Sequence, residues 1–212
     1  MPTAPTPIPL YGFANLATLR GRMLPEDLGD SSDYDTDLMA IGMGVAAAFD
    51  RATGRELVRN TAATFTCAAD CESVVLRSYP IESVTSVTLV YGTSSSLMTD
   101  AVLGLHKTAG ILDFGSALGT HIERLDIVSS GGYWCDAGDT IAMPSGATPM
   151  PADLLQAWFL QCRATCDAEA IFRQKGAGNF TDKDKREPSL RLQTLDLLPA
   201  VKRTLQLYTR MP

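Results

Sequence analysis

The sequence predicts an α+β chain: a small α-helical bundle, an antiparallel β domain inserted into it, and a C-terminal docking arm. Three observations carry this expectation. Apolar residues recur at helical spacing in two separated stretches, Leu38, Ile41, Val45 and Phe49 early and Leu154, Leu155, Trp158, Phe159 and Cys162 late. Between them, from about 62 to 143, the period changes to two, as in Val87, Leu89 and Tyr91 alternating with Thr88 and Val90. Near the end, Leu198, Val201, Leu205 and Tyr208 form one more short helical stripe behind a basic stretch. The expected limits are a Pro-rich arm over 1–12, a helical bundle over 13–61 and 149–178, a β domain over 62–148, and a linker with its helix over 179–212.

The arm carries Pro2, Pro5, Pro7 and Pro9, a spacing that favours extended chain and forbids helix. The first strong helix begins near Asp33, where Asp33, Asp35 and Asp37 put negative charge at the positive end of the helix dipole. Gly54 marks its stop. Gly42 and Gly44, with Ala46, Ala47 and Ala48, thin one side of it, and close approach by another helix is the expected gain. Turn signals at Tyr91–Gly92, Gly110, Gly115, Gly131–Gly132 and Gly138 then cut the middle region into short strands, a small antiparallel sheet or barrel. Pro149 and Pro151 mark the entry to the second long helix, and Gly176 and Gly178 its end. A charged connection follows, Asp182-Lys183-Asp184-Lys185-Arg186-Glu187. Pro199 then starts a last helix of about three turns, too short to stand alone, so it must dock on something.

The chain has 212 residues, 45% apolar and 20% charged, which suits a globular protein of one large domain or two small lobes. No apolar run approaches the length needed to cross a bilayer, and residues 1–5 do not read as a secretory leader. The net charge of −6 argues against a dedicated nucleic-acid binder. The charge is uneven. Residues 171–212 hold nine basic and four acidic side chains, +5, which leaves the body at −11. A basic tail on an acidic body fits docking on an acidic partner or on a neighbouring copy.

No reaction centre emerges from the motifs. Gly42-Met43-Gly44-Val45-Ala46-Ala47 matches a dinucleotide fingerprint but lies inside a helix, with no strand before it. Asp33 to Asp37 resembles a calcium loop, yet its sixth and twelfth positions are Leu38 and Gly44. Cys67-x3-Cys71 and Cys162-x3-Cys166 invite a four-thiolate zinc site, but Cys162 and Cys166 share an apolar helix face, where cysteine packs as a small hydrophobe. The expectation is free thiols and no metal; a cysteine–zinc enzyme or binding module using these four residues is the rival class. His106 and His121, the only histidines, sit in no ligand pattern, and no nucleophile elbow or P-loop is present.

Four stretches go further when taken in order: Phe49-Asp50-Arg51-Ala52-Thr53-Gly54-Arg55-Glu56-Leu57; Tyr79-Pro80-Ile81-Glu82-Ser83-Val84-Thr85-Ser86-Val87; Gly131-Gly132-Tyr133 followed by Pro151-Ala152-Asp153-Leu154-Leu155-Gln156-Ala157; and Leu198-Pro199-Ala200-Val201-Lys202-Arg203-Thr204-Leu205-Gln206-Leu207-Tyr208-Thr209-Arg210. Together they resemble the head–tail connector (adaptor) proteins of tailed bacteriophages and related gene-transfer particles. The resemblance covers most of residues 30–212; the Pro-rich N-terminus and Cys67–Cys71 fall outside it. It implies a homo-oligomeric ring of twelve copies beneath the portal protein, a downstream neck or tail protein as the second partner, and genomic DNA passing through the lumen without sequence-specific binding. It implies a place in the virion neck after assembly in the host cytoplasm, and no catalytic residue, cofactor or membrane. Leu195, Leu198, Val201, Leu205 and Tyr208 would supply apolar area to the portal, and Lys202, Arg203 and Arg210 would meet its acidic groups. Helix packing would fall to Leu38, Ile41, Gly42, Val45, Phe49, Leu154, Leu155, Trp158, Phe159 and Cys162. The neighbouring reading is another neck protein, a stopper or tail-completion protein, and a third is a monomeric binding module.

Overall fold

A computed structural model describes residues 10–24, 32–68, 72–92, 94–97, 104–114, 122–135, 142–168 and 196–209. The architecture is α+β, as the sequence predicts. The chain divides into two compact units: a helical one from residues 1–53, 135–142 and 150–212, and a strand-rich one from residues 54–134 and 143–149. The strand-rich unit starts at Gly54, where the sequence places that boundary at 62. Residues 54–61 group with the strands because the Glu56 N–H donates to the Arg77 carbonyl and the Arg59 N–H to that of Tyr133.

The helical unit contains α1 (Leu16–Met23), a 3-10 turn (Ser32–Tyr34), α2 (Asp35–Thr53), α3 (Ala152–Ala168) and α4 (Pro199–Gln206). Helix α1 is not among the elements expected from sequence. Its eight residues bury only Leu19 and Met23, too few to show a period, and its start is set locally by Asn15, whose side chain accepts from the Thr18 N–H at 2.8 Å. Helix α2 begins behind the acidic turn and ends at Gly54, whose φ of 68° is the left-handed stop expected there. The Arg20 guanidinium on α1 forks onto the Asp35 carboxylate at the start of α2, with Nε to Oδ1 at 2.7 Å. That hydrogen bond holds the Asp35 carboxyl below its ordinary value. A depressed carboxyl pKa stabilises the fold fully above the ordinary carboxylate range and progressively less as pH falls through the folded value. Arg20→Gln should therefore lower the denaturation midpoint at pH 7, and the difference from wild type should shrink as pH falls through the folded carboxyl value and vanish below it.

The thin side of α2 meets something other than a helix backbone. Leu10 bridges to Asn15, the Tyr11 N–H donates to the Ala14 carbonyl, and the chain turns through Gly12 at φ 87°. A Cβ on Gly42 would lie 2.4 Å from the Tyr11 carbonyl oxygen, and one on Gly12 would lie 2.5 Å from that of Gly42. Residues 10–12 thus belong to the helical body rather than to an arm, while 1–9 lie outside the described residues. Trp158 of α3 covers the same spot: its indole N–H donates to the Gly42 carbonyl at 3.3 Å, and Phe13 and Phe159 flank it at 5.4 and 5.0 Å between ring centres. Leu38, Ile41, Gly42, Val45 and Phe49 are buried on α2, and Leu154, Trp158 and Cys162 on α3. Leu155 and Phe159 are half-buried at the margin of that face.

Among the described residues the strand-rich unit carries nine strands: β1 (Asn60–Cys67), β2 (Ser73–Val75), β3 (Ile81–Tyr91), β4 (Ser94–Leu97), β5 (Gly104–His106), β6 (Ile111–Asp113), β7 (Arg124–Gly131), β8 (Tyr133–Trp134) and β9 (Thr148–Pro149). They form an antiparallel sheet in the order β1-β7-β3-β4, a second antiparallel sheet β2-β6-β5, and a short parallel pair β8-β9. The period-two reading locates the core: Val87, Leu125 and Ile127 are buried together with Leu76, Leu112 and Phe114, and Arg124 faces out. Gly92 and Gly110 take positive φ in the turns marked from sequence, and Gly115 and Gly138 lie outside the described residues.

Candidate functional site

The C-terminal segment is the main candidate, and its apolar face is already used. Val201 and Leu205 are 0% and 2% exposed, packed within the helical unit, where α4 lies against α2 and α3. Buried Gln161 of α3 receives the start of the segment: its Oε1 accepts from the Leu198 N–H at 2.9 Å, and its Nε2 lies 3.4 Å from the Asp196 carbonyl oxygen. This supplies one of the N-terminal N–H groups that a helix cannot satisfy itself. Tyr208 donates its hydroxyl to Asp153 at the start of α3 at 2.7 Å. The expectation that this stripe is offered to another protein is thus corrected for Val201 and Leu205, because α2 and α3 present a fitting apolar groove in the same unit. The described helix is also shorter than three turns, eight residues from Pro199 to Gln206.

What α4 leaves outward is basic and apolar. Lys202 and Arg203 are exposed, and Leu207 keeps 78% of its surface in water. Lys202 donates to Asp196 at 2.8 Å, which lowers the Asp196 carboxyl pKa. An exposed pair of this kind contributes little to stability and leaves the cation available to a competing anion. Leu198 and Tyr208 are half-buried; Leu195 and Arg210 lie outside the described residues.

Three stretches singled out in the sequence converge in the strand-rich unit. Arg55, 6% exposed, donates to the Tyr79 carbonyl and lies 3.7 Å from the centre of the Tyr79 ring and 5.1 Å from that of Tyr133. Beside it Arg59 forks onto Glu82, with Nη2 to Oε2 at 2.8 Å, and Ser78 donates to Glu56 at 2.7 Å. Gly131 passes so close that a Cβ there would lie 2.0 Å from the Ser78 carbonyl oxygen. Residues 55–59, 78–82 and 131–133 therefore form one crossing, held by a cation between two aromatic faces. Sequence reasoning missed both Arg55 and Gln161. No periodicity marks a side chain whose partners come from distant strands or from 37 residues further along the chain.

Cys67 is on β1 of the strand-rich unit, Cys162 and Cys166 are buried in α3, and Cys71 lies outside the described residues. Burial pushes the Cys135 and Cys166 thiols up to about 12 and raises that of Cys162 further. A thiol that stays protonated at neutral pH is a poor nucleophile and a poor metal ligand. Among the described residues no group of three or more His, Cys, Asp or Glu side chains is placed to hold a metal. His106 is exposed on β5, and His121 lies outside the described residues. A thiol reagent at pH 8 should leave Cys135, Cys162 and Cys166 unlabelled in the folded protein and label all three after denaturation, read by mass spectrometry of peptides. Rapid native labelling of Cys162 would show that the helical unit opens.

A concavity of about 300 Å³ lies along β1, lined by residues 63–66 and 76–78 with Glu56 and Ser129. Its Ser78 hydroxyl and Glu56 carboxylate satisfy one another, and no histidine or cysteine lines it. Among the described residues no helix is long and apolar enough to cross a membrane.

No family model matches the sequence, and no curated protein sequence matches it significantly. Two solved assemblies contain chains of similar fold. One is the neck of an empty gene transfer agent particle computed with C6 symmetry, whose chain matches with a TM-score of 0.58 at 16% identity, over 99% of this chain and 95% of that one. The other is the virion of a native gene transfer agent particle, with a TM-score of 0.56 at 16% identity, over 93% of this chain and 89% of that one. At this identity the likeness is one of fold.

Proposed function

We propose that this chain is a structural protein of the neck of a tailed-phage-like particle, the head–tail adaptor that forms a ring beneath the portal. The single observation that carries the reading is the end-to-end likeness in fold to a chain of a gene transfer agent neck, over 99% of this chain. The ordered motifs described above support the adaptor in particular. A ring of twelve copies is compatible with the six-fold symmetry applied to that neck. In this reading the ring extends the DNA channel from portal to tail. The body charge of −11 lets DNA slide past, since binding phosphate would require a basic lining.

The arm has a revised role in this reading. Val201 and Leu205 hold α4 on its own body, with Leu198 and Tyr208 at the margin. Lys202, Arg203 and Leu207 then face the portal, continued in sequence by Leu195 on one side and Arg210 on the other. Each contact is weak, and a ring multiplies it through effective concentration.

The test is to mix the purified protein with the portal ring of its source particle and image the mixture by electron microscopy. An added rotationally symmetric layer is expected, with the copy number read directly. Lys202→Glu with Arg203→Glu, which also gives up the exposed Lys202–Asp196 pair, should keep the unfolding free energy within about 1 kcal/mol of wild type, and should lose the layer. Unchanged addition by this variant would remove the basic face from the contact. No layer from the folded wild-type protein would move the reading to a neck protein further from the portal.

A further inference from the structure

The four-stranded sheet ends on β1 at one side and on β4 at the other, and among the described residues no strand pairs with the outer side of either. Sheet edges are normally guarded by charged side chains, proline or burial under another element. Here the usual distribution is inverted. Glu82, Arg124 and Asp126 lie on the two inner strands, whereas Asn60–Cys67 and Ser94–Leu97 hold neither a charged residue nor a proline. On β1 the residues Asn60, Thr61, Ala62, Thr64 and Thr66 are exposed, and all four residues of β4 are. Leu97 keeps 62% of its surface in water, with exposed Tyr91 further along the same β3–β4 ladder.

We propose that copies of this chain join through these edges, β1 of one copy pairing with β4 of the next, so that each sheet continues into its neighbour. The inference rests on the ring reading above and names the contact that builds the ring. The occupant is a second copy because the two open edges are unlike and lie on opposite sides of one sheet. Head-to-tail repetition uses both, and a closed ring leaves neither exposed. A single foreign partner would cover one edge and leave the other open. Main-chain hydrogen bonds supply the ladder, which explains why neither strand needs a charged or bulky recognition residue beyond Leu97. The four residues of β4 make a short ladder, weak between two free chains and secured by closure on the portal.

Thr64→Cys is combined in turn with Ser94→Cys, Ser95→Cys and Ser96→Cys, so that neighbouring registers are each sampled, in a Cys67→Ser, Cys71→Ser background. Within one chain the two positions lie three strand spacings apart, about 14 Å, beyond the ~7 Å limit for a disulfide. Any bond formed is therefore between copies. Oxidised necks carrying a double variant should give a ladder of multiples of this chain on a non-reducing gel, and the single-cysteine variants should give none beyond dimer. On the unmodified protein, amides of residues 60–66 and 94–97 should exchange with deuterium at least tenfold more slowly in the assembled neck than in the free chain. Necks that contain the protein with no ladder and unchanged exchange at both edges overturn the edge pairing and leave the neck reading standing. Necks that lack the protein overturn the neck reading and this inference with it.

Discussion

Trp158→Ala is expected to destabilise the helical unit by about 3–5 kcal/mol, the usual range for emptying a buried aromatic site. Against a typical total of roughly 5–15 kcal/mol, that is enough to unfold much of this unit at 37 °C. Trp158 is 0% exposed, it stacks against Phe13 and Phe159, and its ring seals the place where Gly12 and Gly42 touch. Removing it also leaves the Gly42 carbonyl without its side-chain donor. Trp158→Phe keeps most of the volume and should cost about 1–2 kcal/mol less than alanine. Chemical denaturation followed by circular dichroism gives the midpoint. Hydrogen exchange should assign the loss to α1, α2, α3 and α4 and leave β3 and β7 protected. Equal loss in both units would show that they unfold as one.

The second large effect is expected from deleting residues 195–212. Fully burying a Val or Leu side chain stabilises by roughly 1.5–3 kcal/mol, an upper figure because the unfolded chain already hides some surface. Val201 and Leu205 together therefore contribute at most about 3–6 kcal/mol. Their removal opens the groove between α2 and α3 and strands the buried Gln161 amide, at about 1–3 kcal/mol more where water does not reach it. The truncated chain should lose portal addition, and its helical unit should also become labile, with Cys162 and Cys166 newly open to thiol reagents. Loss of binding in the truncation alone thus does not isolate docking. The Lys202→Glu, Arg203→Glu protein separates the two effects, because it keeps the groove filled. A truncation with an unchanged denaturation midpoint would show that α4 contributes nothing to its own body.

Much of the helical unit was legible because its signals are local. The Asp33–Asp37 cluster, the stripe from Leu38 to Phe49 and the stop at Gly54 place α2 almost to the residue. Pro199 and the spacing of Val201 and Leu205 place α4. Alternation in Val87, Leu125 and Ile127 identifies strands and their buried side, since side chains on a strand alternate faces whatever the pairing. Helix α1 escaped, because two buried residues in eight make no period and Asn15 is ordinary as a single residue.

What the sequence by itself determined is the α+β class, the approximate course of α2, α3 and α4, and the uneven charge that sets a basic tail against an acidic body. Only the tertiary structure decided where the C-terminal stripe goes. An amphipathic face states that it must be covered, and its spacing is the same whether the cover is the chain's own α2 and α3 or another protein. The same holds for Arg55 between Tyr79 and Tyr133, for Gln161 at the head of α4, and for the outer sides of β1 and β4, which no strand covers among the described residues. Each depends on which distant segments meet. Periodicity reports how a residue relates to its neighbours along the chain, whereas these contacts are set by packing among segments that are remote in sequence.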